Sequence, residues 1–344
     1  MARRITKRAA PHPPSFGGNG RFVPGAISTA TTKSGKGAAA SSEREKVEHQ
    51  ILQTLAQVAK LRKTTVYPFF LETIDAQTVE DVFDDVRQKI RKPVKHLDVI
   101  VHSCGGDIHA AFNLGLLFRR YASERLTFIV PRWAKSAATL MVCAGDEILL
   151  GPVSELGPVD PQITTLNPLE NRLEQISPLY LKATLELIRT EFKEGNDDLA
   201  KGLLHRLQFP LTLGGFTRSL ELGEGYIKKL LKTRMFASLG ESDRVAKSDK
   251  VANTLVRAYE DHGYCIELAE ARTMGLVARE IGGKQFDLVW AVFRLNDKLA
   301  ALRKIEKQRE MQELLKHLDP DEIAKRLPQE RVKRHELSQQ PSES

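Results

Sequence analysis

At 344 residues the chain is long enough to bury a sizeable core, in one large domain or in two smaller ones. It has three cysteines, Cys104, Cys143 and Cys265. A disulfide framework needs more cysteines and an even number of them, so we expect a reducing, cytoplasmic compartment. We expect no transmembrane segment and no secretory signal, because no apolar run approaches the necessary length.

Residues 1–42 form a basic arm rich in Gly, Ser, Ala, Thr and Pro, without an acidic residue, which predicts disorder. The arm contains seven Arg and Lys residues and so accounts for seven of the eight net positive charges. The rest of the chain is almost neutral, which argues against a nucleic-acid groove in the folded part. The arm itself has the charge to contact an anionic surface or to act as a targeting segment.

From residue 43 onwards, helical and strand patterns alternate. A helix with an apolar stripe from Val47 to Leu61 comes first. The strands and helices that follow are predicted at Val66 to Glu72, Thr78 to Ile90, Leu97 to Val101, Ile108 to Tyr121, Leu126 to Val130, Ser136 to Ala144 and Glu147 to Leu150. This alternation predicts an α/β domain over 43–294 with a mostly parallel sheet. Residues 295–344 are predicted to form a charged helical extension and a disordered tail.

Ser136 lies at a turn between a buried strand and a helix of small apolar residues. Backbone N–H groups at such a turn stabilise negative charge, as is needed when a serine attacks a carbonyl carbon. The alternative is that Ser136 only caps the helix, a common role of serine.

A second turn of the same kind follows the strand ending at Val101. Gly105 and Gly106 stand there, and adjacent glycines let backbone N–H groups approach a ligand closely. Because parallel strands bring both turns to one edge of a sheet, we expect this pair to lie near Ser136.

Four motifs in this order resemble the serine dehydrogenase proteinase family, which is grouped with the Clp protease and signal peptide peptidase A types. They are D-x-I-x-H-S-x-G-G, P-x-x-A-K-S-A-A-T, A-x-D-E-I-x-x-G and S-E-L-G-P-V-D-P-Q, and the resemblance is strong from about Val66 to Gln162. The resemblance implies a Clp protease or crotonase-like fold, a repeated ββα superhelix, to which this chain adds helical extensions. It also implies a serine peptidase without metal or cofactor.

Carried over by position, the resemblance implies Ser136 as nucleophile and the N–H groups of Gly106 and Ala137 as the oxyanion hole. Gly105, His102 and Lys135 match neighbouring motif positions. Cys104 departs from the pattern, since most relatives have proline before the glycine pair.

The general base is left open by the sequence. Near Asp160, where Clp-type relatives have a catalytic histidine, this chain has none. Lys182 fits the spacing of the signal peptide peptidase dyad and is flanked by apolar residues, with Lys193 in reserve; a surface position on an amphipathic helix is the alternative. We treat His262 as a helix-end residue favoured by the helix dipole.

We favour a Ser-Lys endopeptidase for peptides or unfolded proteins. Its alternatives are a catalytically inactive scaffold of the same fold and an acyl-coenzyme A enzyme of the crotonase type. The apolar stripes of the leading and trailing helices predict a homo-oligomer.

Overall fold

The computed structural model describes residues 43–160, 163–167, 172–206, 213–259 and 261–316. The basic arm and the tail predicted from the sequence lie outside these ranges. The described residues up to Asn296 form one compact unit, and a second unit begins at Asp297.

The elements alternate as the sequence predicts. The strands are β1 (Thr65–Phe70), β2 (Val94–His102), β3 (Ala122–Val130), β4 (Trp133–Ala134), β5 (Glu147–Leu150), β6 (Glu155–Leu156), β7 (Ile163–Asn167), β8 (Arg172–Ile176) and β9 (Ala278–Glu280). The helices are α1 (Glu43–Arg62), α2 (Ala76–Lys89), α3 (Ile108–Tyr121), α4 (Ala137–Val142), α5 (Pro178–Lys193), α6 (Asp197–Arg206), α7 (Leu213–Thr233), α8 (Glu241–Arg257), α9 (Leu268–Met274) and α10 (Gly283–Lys316).

The centre of the fold is a five-stranded sheet in the order β1, β2, β3, β5, β9, in which each neighbouring pair is parallel. Its strands are near-continuous apolar runs, as in Val99 to Val101 of β2, because helices cover both faces of a parallel sheet. The α/β class with a mostly parallel sheet is therefore confirmed.

Helices α2 and α3, which follow loops of the site, both begin at side-chain caps. The Asp75 carboxylate accepts a hydrogen bond from the Thr78 N–H at the start of α2, and the Thr78 hydroxyl accepts one from the Asp75 N–H. At the start of α3 the Asp107 carboxylate accepts from the Ala110 N–H at 2.7 Å. Each cap directly follows a loop that leaves the carboxyl edge of the sheet, and so fixes where the loop ends.

The apolar stripe of α1 is covered within the chain. Val47, Ile51, Leu55 and Val58 are all buried. The expectation that this stripe would stay exposed in a monomer is therefore wrong for these four residues, whereas Leu61 at the end of the stripe is exposed. Within the described ranges, none of the helices is apolar over enough residues to cross a bilayer.

A second, smaller set of backbone pairings lies beyond the carboxyl ends of β2, β3 and β5. Ser103 forms a parallel bridge with Ala134, β4 pairs in parallel with β6, and Leu156 forms an antiparallel bridge with Ile266. Four segments that are distant in sequence are thus joined by backbone pairing into one row, the backbone row of Ser103, Ala134, Leu156 and Ile266. Sequence patterns did not predict this row, because each paired segment is only one or two residues long.

The packing of α3 against the end of α4 leaves no room for a side chain at Gly115. A Cβ atom there would lie 2.9 Å from the Cβ of Ala144, whereas a Cβ at Gly225 on α7 would meet nothing within 4 Å.

We expect Gly115→Ala to lower the melting temperature, because overpacking costs about 1–3 kcal/mol and outweighs the gain in helix propensity. Gly225→Ala, the matched control, should raise the melting temperature, because alanine is favoured over glycine in a helix by about 1 kcal/mol and nothing is overpacked there. Thermal unfolding followed by circular dichroism measures both melting temperatures. Equal shifts in the two variants would contradict the close packing of Gly115 against Ala144.

Candidate functional site

The turn that carries Ser136 is strained. Ser136 has φ 50° and ψ −120°, a left-handed conformation that residues other than glycine rarely adopt. It occupies the N-cap position of α4, yet its side chain makes no capping hydrogen bond. A serine that only capped the helix would make that bond and would need no such strain, so the cap interpretation does not account for this residue.

The Gly105 and Gly106 loop lies directly against this turn. A Cβ atom at Gly105 would be 2.8 Å from the Cβ of Ser136 and 3.1 Å from the backbone N of Ala137. At Gly106 a Cβ atom would come within 2.2 Å of the Ile74 carbonyl oxygen. Both glycines have positive φ, so glycine is required here by conformation as well as by space.

Backbone hydrogen bonds hold the glycine loop on both sides. The Ile74 N–H donates to the Gly105 carbonyl at 2.7 Å, and the Asp107 N–H donates to the Ile74 carbonyl at 2.8 Å. Inside the loop, the Gly105 N–H donates to the hydroxyl of Ser103 at 3.2 Å. The loop is therefore fixed before any ligand arrives.

The N–H groups of Gly106 and Ala137 have no hydrogen-bond acceptor among the described residues. Gly106 is exposed, while Ala137 is buried at the start of α4. Two unpaired N–H groups on adjoining turns are what an oxyanion hole requires. Their joint action on one oxygen stays a prediction.

Asp160 and His262 face one another across a gap between two loops. The His262 Nδ1 lies 3.8 Å from the Asp160 Oδ2, and the Asp160 side chain is only 3% exposed. Among the described residues neither His262 Nδ1 nor the other carboxylate oxygen of Asp160 has a hydrogen-bond partner, although both atoms are buried. Buried polar atoms without partners are rare, and each needs an explanation.

The backbone row brings both loops towards the Ser136 turn. Asp160 follows β6, which runs parallel to the strand immediately before Ser136. The N–H of Val159 donates to the Leu255 carbonyl near the end of α8, and the turn holding His262 follows that helix. Helix α8 ends at Arg257, so His262 is not the helix-end residue that the sequence suggested. It stands in a turn closed by hydrogen bonds from Gly263 and Tyr264 to Asp261.

His102 packs among aromatic rings. Its ring centroid lies 4.5 Å from that of Trp133 and 4.7 Å from that of Phe293. Burial, helped by the charge of Arg132, lowers the pKa of His102 to about 4, so its imidazole is neutral at pH 7. His102 therefore supports the strand end before the glycine loop as a packing residue.

Lys182 and Lys193 both lie on α5 and are exposed to solvent. A lysine accepts a proton near neutral pH only where burial or neighbouring charge favours the neutral amine. The exposed position of Lys182 provides no such burial. Lys135, in contrast, is well covered, and its Nζ contacts oxygens of Glu155, Leu156 and Tyr264.

The sequence reasoning did not identify Asp160 and His262 as a pair. In the sequence, Asp160 marks only the place where Clp-type relatives have a histidine, and His262 was predicted to be a helix-end residue. Their residue types could have suggested the pair. One is a carboxylate, the other a histidine, and each follows the end of a helix or strand of the same domain.

Comparison with known proteins supports the resemblance in the sequence. Residues 58–176 match the model of a family described as ClpP-like SDH-type serine proteinase. An uncharacterized protein of Methanocaldococcus jannaschii is 35% identical over 204 residues, which are 58% of this chain and 59% of that protein. A second one from the same organism is 33% identical over 88 residues, 25% of this chain and 30% of its own. The matches thus span less than two thirds of either relative.

Among solved structures, a mutant of a membrane-bound stomatin-specific protease has 14% identity and a TM-score of 0.37, covering 64% of this chain and 80% of its own. The ClpP protease catalytic domain from Plasmodium falciparum has 11% identity and a TM-score of 0.35, covering 72% and 96%. The family match includes Ser136, the glycine loop and Asp160. The segment 58–176 is thus similar to the ClpP-like SDH-type serine proteinases, and the match does not extend over the rest of the chain.

Proposed function

We propose that this chain is a serine peptidase in which Ser136 attacks the carbonyl carbon of a peptide bond. The observation that carries the proposal is the Ser136 turn itself. A non-glycine residue with positive φ is held against two positive-φ glycines, and its side chain makes no capping bond. Strain of this kind persists only where the surroundings enforce it, and it commonly marks a functional site.

For the proton acceptor we propose His262, oriented by Asp160. The Nδ1 of His262 faces the carboxylate of Asp160, so an Nδ1–H donated to Asp160 leaves Nε2 as the free acceptor. In the reaction, Ser136 Oγ forms a bond to the carbonyl carbon while its proton passes to His262 Nε2. The same proton is then delivered to the departing amine nitrogen as the peptide C–N bond breaks.

The negative charge that develops on the carbonyl oxygen requires donors that are already in position. The unpaired N–H groups of Gly106 and Ala137 are suited to this task, because neither has to give up another hydrogen bond first. The fixed glycine loop supports the proposal, since preorganised donors cost no reorganisation during the reaction. The acyl-enzyme is then hydrolysed: a water oxygen bonds to the acyl carbon as its proton passes to His262 Nε2, and that proton is returned to Ser136 Oγ as the ester C–O bond breaks.

The Ser-Lys dyad remains the competing assignment, with Lys182 as the base. It requires Lys182 to leave its exposed position on α5 and become desolvated beside Ser136. The pairing of Asp160 with His262 favours the histidine, because it provides a base that is already half-buried and faces a carboxylate.

We propose peptides or unfolded proteins as substrates and a homo-oligomer as the working form. With most of the α1 stripe covered, the trailing helix α10 is the stronger candidate for assembly, and Ile305 and Met311 are exposed on it. Two alternatives are an acyl-coenzyme A enzyme and an inactive scaffold. In both of them Ser136 would not be an activated nucleophile.

A fluorophosphonate probe tests the nucleophile. We expect it to label the wild-type protein covalently and to leave Ser136→Ala unlabelled, because only an activated hydroxyl reacts with the phosphorus centre. The loss of one hydroxyl should change the free energy of unfolding by no more than about 1 kcal/mol. Ser123→Ala, which removes an exposed serine at the far end of β3, is the control and should label normally. Labelling of the Ser136 variant would refute the proposal.

Paired alanine variants test the base. His262→Ala should lose turnover of a fluorescent unfolded casein by a factor on the order of 10³ or more, as when a member of a catalytic triad is removed. Lys182→Ala should stay within about twofold of wild type, as a surface substitution does. The opposite ranking, with both variants folded by circular dichroism, would support the Ser-Lys dyad instead.

Asp160→Asn tests the orienting carboxylate. The amide keeps the shape but loses the negative charge, and its NH2 group can donate to Nδ1 and so hold the imidazole in the wrong tautomer. We therefore expect kcat to fall by about 10²–10⁴ with little change in KM. Asp84→Asn, at an exposed position on α2, is the matched control. Wild-type kcat in the Asp160 variant would remove this residue from the mechanism.

A further inference from the structure

The side chain of Lys135 is held by three oxygens from two separate loops. Its Nζ lies 3.1 Å from the Tyr264 carbonyl oxygen, 3.3 Å from the Leu156 carbonyl oxygen and 3.3 Å from the Glu155 Oε1. Only 17% of the side chain is exposed. An ammonium group has three N–H donors, so these three oxygens match its full capacity.

The backbone of Lys135 is tied to the other half of the site. Its N–H donates to the Ser103 carbonyl at 3.0 Å, just before the glycine loop, and its carbonyl accepts from the Ala138 N–H at 2.9 Å in α4. A Cβ atom at Gly105 would lie 2.7 Å from that same carbonyl oxygen. Lys135 is thus in contact with the glycine loop through its backbone, and it precedes Ser136 directly.

The stem of Lys135 lies across Gly157. A Cβ atom at Gly157 would come within 2.6 Å of the Lys135 Cδ and 3.3 Å of its Cα. The absence of a side chain at Gly157 therefore allows the aliphatic stem to pass over β6 and reach the Tyr264 carbonyl.

Tyr264 closes the turn that holds His262. Its N–H donates to the Asp261 carbonyl at 3.1 Å, and its own carbonyl receives Lys135. We propose that Lys135 is a positioning residue that fixes the His262 turn relative to Ser136. This inference rests on the proposed function, in which His262 is the base.

Lys135 does not serve as the base itself in this arrangement. Its Nζ already lies within 3.3 Å of three oxygens, and to act as the base it would have to turn away from them and direct a lone pair at Ser136 Oγ. Burial alone would raise the pKa of Glu155, but the hydrogen bond from Cys265 and the charge of Lys135 outweigh it and hold the pKa below its usual value.

The test uses the full-length protein and the fluorophosphonate probe, from which the maximal rate of inactivation and the half-saturating probe concentration are obtained separately. In Lys135→Met we expect the maximal rate to fall by up to about 100-fold, because a displacement of about 1 Å has effects of that size. The half-saturating concentration should change little. Lys135→Arg should recover part of the rate, since a guanidinium also donates to carbonyl oxygens.

Two further variants sharpen the result. Lys95→Met, the same substitution at a lysine of β2 whose side chain is 80% exposed, is the matched control, and its rate should stay near wild type. Gly157→Ala keeps Lys135 but pushes its stem aside, so its rate should fall as in Lys135→Met. If Lys135→Met shows no folding transition, the rate of Gly157→Ala alone tests whether Lys135 positions the His262 turn.

A wild-type rate in Lys135→Met or in Gly157→Ala, with His262→Ala unreactive, would overturn the inference and leave the proposed function standing. Equal loss in Lys135→Met and Lys135→Arg, both folded, would also overturn it, because Lys135 would then be acting chemically. Failure of the wild-type protein to react would refute the proposed function, and with it this inference.

Discussion

The site depends on the row of backbone pairings that joins Ser103, Ala134, Leu156 and Ile266. Each pairing is made between residues of different loops, so no member is held by its own element alone. Buried backbone N–H and carbonyl groups must find partners, and here they find them in one another. The strained conformation of Ser136 and the close approach of Gly105 are sustained by this row, which leaves neither turn room to relax.

Much of the fold could be predicted from the sequence because its signals are local. The strand at Glu147 and the helix from Ile108 to Tyr121 were predicted with the bounds that the structure has, since each is an uninterrupted apolar or amphipathic run with polar ends. Ser136 and the glycine pair were also found locally. Small residues and a hydroxyl at a strand-to-helix turn are visible without knowledge of what packs around them.

The remaining parts of the site depend on packing that a pattern does not contain. The sequence of an amphipathic helix shows which face is apolar but not whether a residue beside that face is buried. The pattern around Lys182 would therefore be the same whether its side chain were buried or exposed. The stripe on α1 was visible, but its covering within the chain was not. Asp160 and His262 meet only because two turns converge beside α8, and neither residue stands in a periodic segment.

The separation of His262 from Ser136 along the chain has a consequence for the order of folding. The strands from β1 to β5 and the glycine loop come from one continuous stretch, whereas the His262 turn follows α7 and α8 in the chain. Because contacts between distant segments cost more loop-closure entropy, we expect this turn to join a core that is already largely formed. On the proposed assignment, a newly synthesised or partly unfolded chain would carry its nucleophile without its base. Such a chain would be unable to digest its neighbours until its own fold was complete.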